Sequence, residues 1–381
     1  MRPYRCFASC LPGLEEMLRG ELAALGIPKP EVSKGGVRFF GHRRSVFRVN
    51  LCSGLATHVL LRFPKFEAKT FFDLEKGFRR LDLEPLLKEG EPISLRVQAK
   101  KSKLIHSGAI EDRFRSFLGK RLPGVRFLEQ EPKDPLDPEG LFQAVQIRVF
   151  FDRVQISVDS TGIPLHRRGW KQAVGKAPLR EDLAHALILA SGWDRETPLL
   201  DPFAGSGTIP IEAAGLARRL APGRLRRFSF ERGAIFDEED YQLEKMRAEK
   251  QSLPGLGFKL FASDRDESVL TLLEANAERA GVAEELDLRV GTFDQAAFLS
   301  GEPKSEQGAM VSNPPFGRRV QETTGLEQLY QALGRKLRLL PPSFHIALLS
   351  SDRRLTQRVG IDLKSAFLVP FGGLRVRALV R

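Results

Sequence analysis

Two short segments of the chain contain residues whose types and spacing suit a chemical reaction. Residues 201–208 read Asp-Pro-Phe-Ala-Gly-Ser-Gly-Thr, and residues 312–317 read Ser-Asn-Pro-Pro-Phe-Gly. The first segment is typical of a glycine loop that holds a nucleotide-type cofactor. The second combines hydrogen-bond acceptors with an aromatic ring, a combination suited to methylation of a planar amine. Together they predict transfer of a methyl group to such an amine.

The glycine loop lies between a predicted strand and a predicted helix. The apolar run at 197–200 precedes it, and a helical pattern begins near Ile209. Glycines at 205 and 207 let the backbone approach a ligand and adopt positive φ, while Thr208 can support the helix start. Because no Gly-Lys-Ser/Thr and no third glycine follow, a cofactor without a pyrophosphate is favoured. An ordinary tight turn is the alternative for this segment alone.

Carboxylates follow the next two predicted strands. Asp264 ends the strand pattern at 258–263, where it is placed to accept hydrogen bonds from ribose hydroxyls. The alternative is that Asp264 or Asp266 caps the following helix. Residues 286–294 predict a third strand, and Asp294 at its end is the expected contact to an adenine.

A fourth predicted strand at 308–312 leads directly into the second segment. Two successive prolines at 314 and 315 hold a rigid extended turn and leave neighbouring carbonyls free to accept. The Asn313 side-chain oxygen and the Pro314 carbonyl can accept both hydrogens of an exocyclic amine and so direct its nitrogen towards a methyl donor. Phe316 offers a face for an extruded base, and no general base is needed because the methylated ammonium is acidic. A purely structural Asn-Pro-Pro turn is the alternative.

Further motifs lie along the rest of the chain: Phe7-Ala8-Ser9, Gly13-Leu14-Glu15-Glu16, Gly35-Gly36-Val37, Leu165-His166-Arg167-Arg168-Gly169-Trp170 and Ala177-Pro178-Leu179-Arg180. With these and the two segments above, nearly the whole chain resembles the THUMP-domain methyltransferases that modify the exocyclic amine of guanine in RNA. The resemblance is to the bacterial 23S ribosomal RNA guanine-N2 type, formerly labelled as candidate N6-adenine-specific DNA methylases. The Leu-His-Arg-Arg-Gly and Ala-Pro-Leu motifs are its most specific part.

The resemblance implies S-adenosylmethionine as the cofactor, with the glycine loop near its methionine moiety, Asp264 on its ribose and the Asn313 turn on the target base. The family often has an acidic residue two positions before Asp294, where this chain has Thr292, so the adenine contact stays open between them. The expected cofactor-binding residues are Pro178, Asp201, Phe203, Ala204, Gly205, Ser206, Gly207, Thr208, Asp264, Arg265, Thr292, Phe293, Asp294 and Asn313. The expected catalytic residues are Asn313, Pro314, Pro315 and Phe316.

A chain of 381 residues is too long for one typical domain and predicts two or three. Residues 1–65 carry strand and helix patterns in a βαββαβ-like order, which the resemblance implies is a ferredoxin-like module. Residues 66–155, with strand patterns at 93–98 and 142–149, match a THUMP RNA-binding domain. Residues 156–381 are expected to form an α/β, Rossmann-like class I methyltransferase domain with a mixed seven-stranded sheet.

The charge balance favours a polyanionic partner. The chain has 60 Lys and Arg against 48 Asp and Glu, a formal net charge of +12. Arg318 and Arg319 are hypothesised to contact phosphates, with a solvated loop as the alternative, and the charged stretch at 222–250 predicts an insertion or a helix with one solvated face. The other basic clusters are His42-Arg43-Arg44, Lys100-Lys101-Ser102-Lys103 and His166-Arg167-Arg168 with Lys171.

The remaining expectations are negative ones. We find neither a secretory leader nor an apolar run of about eighteen residues, so we expect a cytoplasmic protein without a membrane contact. The three cysteines and six histidines lack metal-ligand spacing, so no metal is expected. A monomer is expected.

Several functions share an Asn-Pro-Pro-aromatic turn. Enzymes that methylate adenine amines in DNA or glutamine amides in proteins also use this turn. The expected RNA-binding domain at residues 66–155 favours RNA as the substrate. A non-enzymatic ribosome-assembly factor is the other class, against which the intact Gly205, Gly207, Asp264 and Asn313 argue. The sequence therefore predicts methylation of N2 of a flipped guanine in structured RNA, with 23S ribosomal RNA preferred and transfer RNA second.

Overall fold

A computed structural model of the chain describes residues 3–137, 139–171, 179–301, 305–316 and 323–381, without the side chains of 323 and 324. These residues form two compact units. Unit 1 contains residues up to Cys10, Glu15–Gly169 and Gly223–Ala248, and unit 2 contains Leu11–Leu14, Trp170–Pro222 and Glu249–Arg381. In the described parts of both, no helix is long and apolar enough to cross a membrane.

In chain order, the elements before residue 170 are β1 (Tyr4–Ser9), α1 (Glu15–Ala24), β2 (Glu31–Ser33), β3 (Gly36–Gly41), α2 (Arg43–Cys52), β4 (His58–Arg62), β5 (Phe66–Glu67), α3 (Phe71–Phe78), β6 (Pro92–Lys100), α4 (Ser107–Arg121), β7 (Arg126–Phe127), β8 (Gln143–Phe150) and β9 (Arg153–Asp159). The later ones are α5 (Glu181–Ser191), β10 (Leu199–Asp201), α6 (Thr208–Ala217), α7 (Glu238–Gln251), β11 (Leu260–Asp264), α8 (Glu267–Ala280), β12 (Leu286–Val290), β13 (Gly308–Ser312), α9 (Thr323–Leu337), β14 (Phe344–Ser350), α10 (Arg353–Val359), β15 (Lys364–Phe371) and β16 (Leu374–Val380).

The described strands of unit 1 form a nine-stranded sheet in the order β2-β3-β1-β4-β9-β8-β6-β7, with β5 paired to β9. Apolar and polar side chains alternate along β8, so that one face of the strand is buried and the other is exposed. Val145, Ile147 and Val149 are buried, whereas Arg148 and Phe150 are exposed. Strands β4 and β9 pair antiparallel and join the first 65 residues to the next segment. The boundary expected between residues 155 and 156 falls inside β9, and the domain division stays a prediction.

The charged segment after residue 222 belongs to unit 1 and neutralises arginines of α2. Arg43 Nε donates to Asp240 at 2.5 Å, and Arg44 Nε and Arg48 Nε donate to Glu244 at 2.9 and 2.7 Å. The Glu244 side chain is 1% exposed. Carboxylates of α7 therefore supply counter-charges to Arg43 and Arg44, so less of their charge is available to an external polyanion, and the prediction for the His42-Arg43-Arg44 cluster stays a prediction.

One arginine of a second predicted cluster is internal, whereas its neighbour Arg167 is exposed. Arg168 is 2% exposed and donates to the carbonyl oxygens of Leu165 at 2.9 Å and Gly54 at 2.7 Å. A buried guanidinium whose donors meet backbone carbonyls holds the chain in place and cannot reach an external phosphate. The expectation of a surface cluster at 166–168 is thus wrong at Arg168.

The described strands of unit 2 form a seven-stranded sheet in the order β12-β11-β10-β13-β14-β16-β15. The strands from β12 to β14 are parallel, and β16 is antiparallel to both β14 and β15. This confirms the expected mixed seven-stranded α/β sheet. The chain proceeds outward from β10 through β11 to β12 and then returns to β13 on the other side. The crevice at this reversal, outside the carboxyl ends of β10 and β13, is where open α/β sheets bind ligands.

Candidate active site

The glycine loop follows β10 at this reversal. Glycine is needed at each of its two glycine positions for a different physical reason. A Cβ at Gly207, where φ is +88°, would lie 2.5 Å from Leu273 Cγ of α8. A Cβ at Gly205, where φ is +50°, would meet no described atom within 4 Å. Gly207 is therefore required by packing, whereas Gly205 leaves the backbone open to a ligand.

Asp264, at the end of β11, fixes this loop. Its Oδ2 accepts from the Gly205 amide at 3.0 Å and its Oδ1 accepts from the Asp266 amide at 3.1 Å. Asp266 is the residue that caps α8, because its carboxylate accepts from the Ser268 amide. The alternative that Asp264 serves as the helix cap is therefore wrong. Its half-buried carboxylate stands at the sheet edge.

Asp201 ties the glycine loop to the second segment. Its Oδ1 accepts from the Phe203 amide at 3.1 Å and from Ser312 Oγ, at the end of β13, at 2.5 Å. Asp201 is 1% exposed. Burial raises the pKa of this carboxyl to about 7, with a smaller contribution from the charge of Asp264, while the two hydrogen bonds oppose the rise.

The Asn313 turn presents an unused acceptor. Asn313 Oδ1 is buried and accepts no hydrogen bond from the described residues. Such an oxygen is costly to leave without a donor, so its surroundings fit a bound group that donates. Pro314 is buried and Pro315 exposed, and the half-buried Phe316 packs against the apolar core of unit 2.

The end of β12 differs from its prediction. The strand stops at Val290 rather than at 294, because residues 293–295 form a 3₁₀ turn; the Gly291 amide makes the last bond to β11, to the Asp264 carbonyl at 3.0 Å. Gln295 Oε1 accepts from the Thr292 amide at 3.1 Å. Thr292 and Asp294 are both exposed, and the hydrogen bond from Thr292 lowers the pKa of Asp294.

Aromatic rings line the same sheet edge. The Phe203 and Phe293 rings stack with centroids 5.8 Å apart and planes at 22°. Both side chains, like Phe316, are only partly buried where they pack on the core. They provide flat apolar surface beside the carboxylates, which suits a nucleoside.

Two supporting residues were not recognised as such from the sequence. Asn276 of α8 is fully buried and donates to the Ser206 carbonyl at 3.1 Å. Its place on the apolar face of a helix is a signal that could have found it. Lys171, predicted to meet a polyanion, instead donates to Thr208 Oγ1 at 2.7 Å and lies 3.4 Å from Glu181, and that prediction is wrong.

The structure brings most of the predicted residues together at the carboxyl ends of β10 to β13: Asp201, Phe203, Ala204, Gly205, Ser206, Gly207, Thr208, Asp264, Arg265, Thr292, Phe293, Asp294, Asn313, Pro314, Pro315 and Phe316. Pro178, Gly317, Arg318 and Arg319 lie outside the described residues. An open backbone at Gly205, the Asp264 carboxylate and the unused Asn313 oxygen can hold a nucleoside-type cofactor beside a planar amine. The residues therefore fit the expected cofactor, and their individual binding roles remain predictions.

Comparisons with known proteins agree with this geometry. Residues 168–375 match the family model described as the RMKL-like methyltransferase domain, and residues 5–60 match the RlmL ferredoxin-like domain. A candidate RNA methyltransferase of Synechocystis sp. is 30% identical over 382 residues, covering 98% of this chain and 94% of the relative. The crystal structure of SMU.472, a candidate methyltransferase complexed with SAH, has a TM-score of 0.87 at 25% identity, covering 100% of this chain and 98% of that one. TrmN from Thermus thermophilus has a TM-score of 0.71 at 25% identity, covering 99% and 98%.

The raised pKa of Asp201, about 7, predicts how the stability of unit 2 depends on pH. Between about pH 4 and pH 7 the unfolded chain has lost the Asp201 proton while the folded chain keeps it, so stability falls as pH rises through this window. The Asp201→Asn variant is the reference, because the asparagine amide at this position has no carboxyl group to titrate. Between pH 5 and pH 8, the wild type should lose about 3 kcal/mol more of its free energy of unfolding than the variant does.

Urea unfolding of the ligand-free protein, followed by tryptophan fluorescence, measures this difference. Both tryptophans of the chain, Trp170 and Trp193, are buried in unit 2 and so report on this unit. Ser312→Ala, which removes a hydrogen bond that lowers the Asp201 pKa, should extend the loss to higher pH and so enlarge it between pH 5 and pH 8. Equal pH dependence in wild type and Asp201→Asn would contradict the assignment.

Proposed function

The chain belongs to the RMKL-like methyltransferase family, and from this premise we propose that it transfers a methyl group from S-adenosylmethionine to the exocyclic N2 amine of a guanine in 23S ribosomal RNA. The observation that carries the proposal is the buried, unused acceptor oxygen of Asn313 at the end of β13. The Asp201–Ser312 hydrogen bond joins the start of this turn to the glycine loop.

The cofactor is held by residues from three strand ends. S-adenosylmethionine, when bound, supplies a methyl group on an electron-poor sulfonium. Asp264 would accept from its ribose, and the open backbone at Gly205 admits its close approach. Phe203 and Phe293 offer apolar surface, with Thr292 and Asp294 as candidate partners of the adenine. The SAH complex of SMU.472 supports this assignment.

The Asn313 turn orients the target amine. The Asn313 oxygen and the Pro314 carbonyl would accept its two hydrogens, which directs the nitrogen lone pair towards the methyl donor. Phe316 stacks on the base, which must leave its helix to reach the site. The methylated ammonium loses its proton to water, so no side chain is required as a general base. The chain thus contributes orientation and electrostatics rather than a nucleophile.

Three observations support RNA as the substrate. The relative from Synechocystis sp. is named as a candidate RNA methyltransferase. The match of residues 5–60 to the RlmL ferredoxin-like domain agrees with the resemblance to the 23S ribosomal RNA enzymes. The formal net charge of +12 favours a polyanion. Transfer RNA, an adenine amine and a non-catalytic assembly role are outcomes that the following experiment distinguishes, with a DNA pool added beside the two RNA pools.

The test is methyl transfer from labelled S-adenosylmethionine into separate pools of unmodified large-subunit ribosomal RNA and transfer RNA, followed by nucleoside mass spectrometry. We expect N2-methylguanosine in the ribosomal pool. The same nucleoside in transfer RNA alone would keep the chemistry and change the substrate. Methyladenosine would move the chemistry to another amine, and no label in any pool would overturn the enzymatic proposal.

Asn313→Ala should lower turnover by on the order of 10²-fold or more, because the amine loses a preorganised acceptor. Cofactor affinity, measured by titration calorimetry, should stay within about twofold of the wild type. Asn313→Asp, which keeps an acceptor oxygen, is the matched control and should retain measurable turnover. If Asn313→Ala lost cofactor binding as well, the assigned role would be wrong.

Asp264→Ala should weaken binding of S-adenosylmethionine by about 10- to 100-fold, because a carboxylate that bonds both the ligand and Gly205 is lost. Asp266→Ala is the matched control, since it removes a nearby exposed carboxylate and should cost about 1 kcal/mol of stability at the α8 cap. Calorimetry on both variants compares them. Loss of affinity in Asp266→Ala alone would move the ribose contact to that residue.

A further inference from the structure

One face of the unit 1 sheet carries basic residues from six strands. Register places paired residues on the same side, so Arg38 lies beside Phe7, Arg148 opposite Gln98, and Phe150 between Lys100 and Arg153. Most of the alternate positions are buried, and those of β6 beyond Ile93 are half-buried. We call the opposite side, which carries Arg5, Arg38, Arg62, Lys100, Arg148 and Arg153, the basic sheet face.

Most of the positive charge on this face lacks internal compensation. The exception is Arg96, which register places on the same face and which is paired with Glu131 and Asp159. Arg38 has an exposed partner, Glu31, at 3.3 Å. Within the described residues, no ion pair is found for Arg5, Arg62, Lys100, Arg148 or Arg153. The arginines of α2, in contrast, are neutralised by α7. A set of like charges that the fold leaves unpaired is complementary to a polyanion.

Arg62 is the clearest indication of a ligand. Its guanidinium carbon lies 3.4 Å from the centroid of the Phe7 ring, and its Nε is buried without a hydrogen-bond partner among the described residues. Burial, and then the charges of Arg148 and Arg38, lower its pKa to about 10. A phosphate beside this half-buried side chain would supply the missing counter-charge.

Two aromatic side chains stand exposed on the same face. Phe40 of β3 is 57% exposed and Phe150 of β8 is 49% exposed. Their register partners on this face include Arg5 for Phe40 and Lys100 for Phe150. Exposed rings beside basic side chains form a platform on which unpaired bases stack while phosphates meet the charges. A duplex would leave the rings without bases to stack.

We propose that the basic sheet face binds an unpaired segment of the RNA substrate, with Arg38, Arg62 and Arg148 on phosphates and Phe40 and Phe150 stacking on bases. The inference rests on the proposed function, because it assigns a second contact area for the same RNA. The inference assigns methyl transfer to the carboxyl ends of the strands in unit 2 and additional binding of the RNA to unit 1.

The charge arm of the test uses Arg38→Gln/Arg148→Gln in the full chain. Its control, Arg79→Gln/Arg80→Gln, removes two exposed arginines at the end of α3. Binding of a fluorescein-labelled 12-nucleotide single-stranded RNA is followed by anisotropy over a range of salt concentrations. Loss of two phosphate contacts should weaken binding about 20-fold at 0.1 M salt and reduce the slope of log K against log salt by about 1.4. Equal changes in the control would overturn the proposal.

The aromatic arm uses Phe40→Ala and Phe150→Ala. Phe72→Ala is the matched control, because Phe72 is 72% exposed on α3 and lies off the sheet. Each sheet variant should weaken binding of the same RNA by about tenfold, with little change in the salt slope. An equal effect of Phe72→Ala, or none from either sheet variant, would contradict stacking.

Methyl transfer separates this inference from the proposed function. If wild type methylates RNA and Arg38→Gln/Arg148→Gln raises KM while kcat holds, both stand. If wild type methylates RNA but the sheet variants bind it as the controls do, the inference fails alone. If wild type transfers no methyl group while the sheet variants lose RNA binding, the proposed function fails and the sheet assignment stands.

Discussion

The site depends on one buried hydrogen bond, from Ser312 Oγ to the Asp201 carboxylate. Strand β10 has only three residues, all buried, and pairs with β11 on one side and β13 on the other. Asp201 at its end meets Ser312 at the end of β13, so the start of the glycine loop and the start of the Asn313 turn are joined through two side chains. Enclosing a carboxyl group among apolar strands raises its pKa, and this is the electrostatic cost of the junction.

Bonds from the other strand ends hold the glycine loop against this junction. Asp264 bonds the Gly205 amide, and the Ala204 amide bonds the Ser263 carbonyl at 3.0 Å. Asn276 holds the Ser206 carbonyl from the helix side. A loop fixed from two sides changes little when a ligand arrives, so little binding energy is lost to ordering it. Of the two glycines of this loop, Gly205 is the one with open space around it, so the backbone there can approach a ligand.

Local signals predicted the strand, turn and helix segments around the two motifs, because glycine, proline and apolar runs act over a few residues. Strands β2, β5 and β7 have three residues or fewer, too few to show periodicity, and the boundary predicted between residues 155 and 156 divides β9. The ion pair between Arg44 and Glu244 could not be predicted from neighbouring residues, because the two lie 200 residues apart in the sequence. The sequence alone could not decide whether Asp264 or Asp266 caps α8. The structure decides it, because Asp264 accepts from the Gly205 amide whereas Asp266 accepts from the Ser268 amide.

Contacts between residues far apart in the sequence also determine which basic side chains remain unpaired and can meet a polyanion. The charge clusters most evident in the sequence were His42-Arg43-Arg44 and His166-Arg167-Arg168, and their key arginines are bound to Asp240, Glu244 and backbone carbonyls. Apart from Lys100, which belongs to the predicted Lys100-Lys101-Ser102-Lys103 cluster, the basic sheet face is inconspicuous in the sequence, because each strand contributes one of its residues and register brings them together. Net charge therefore indicates that a polyanion is favoured, while strand pairing decides which side of the protein can meet it. A single-stranded segment suits that side, because its phosphates and bases can reach alternating arginines and aromatic rings at once.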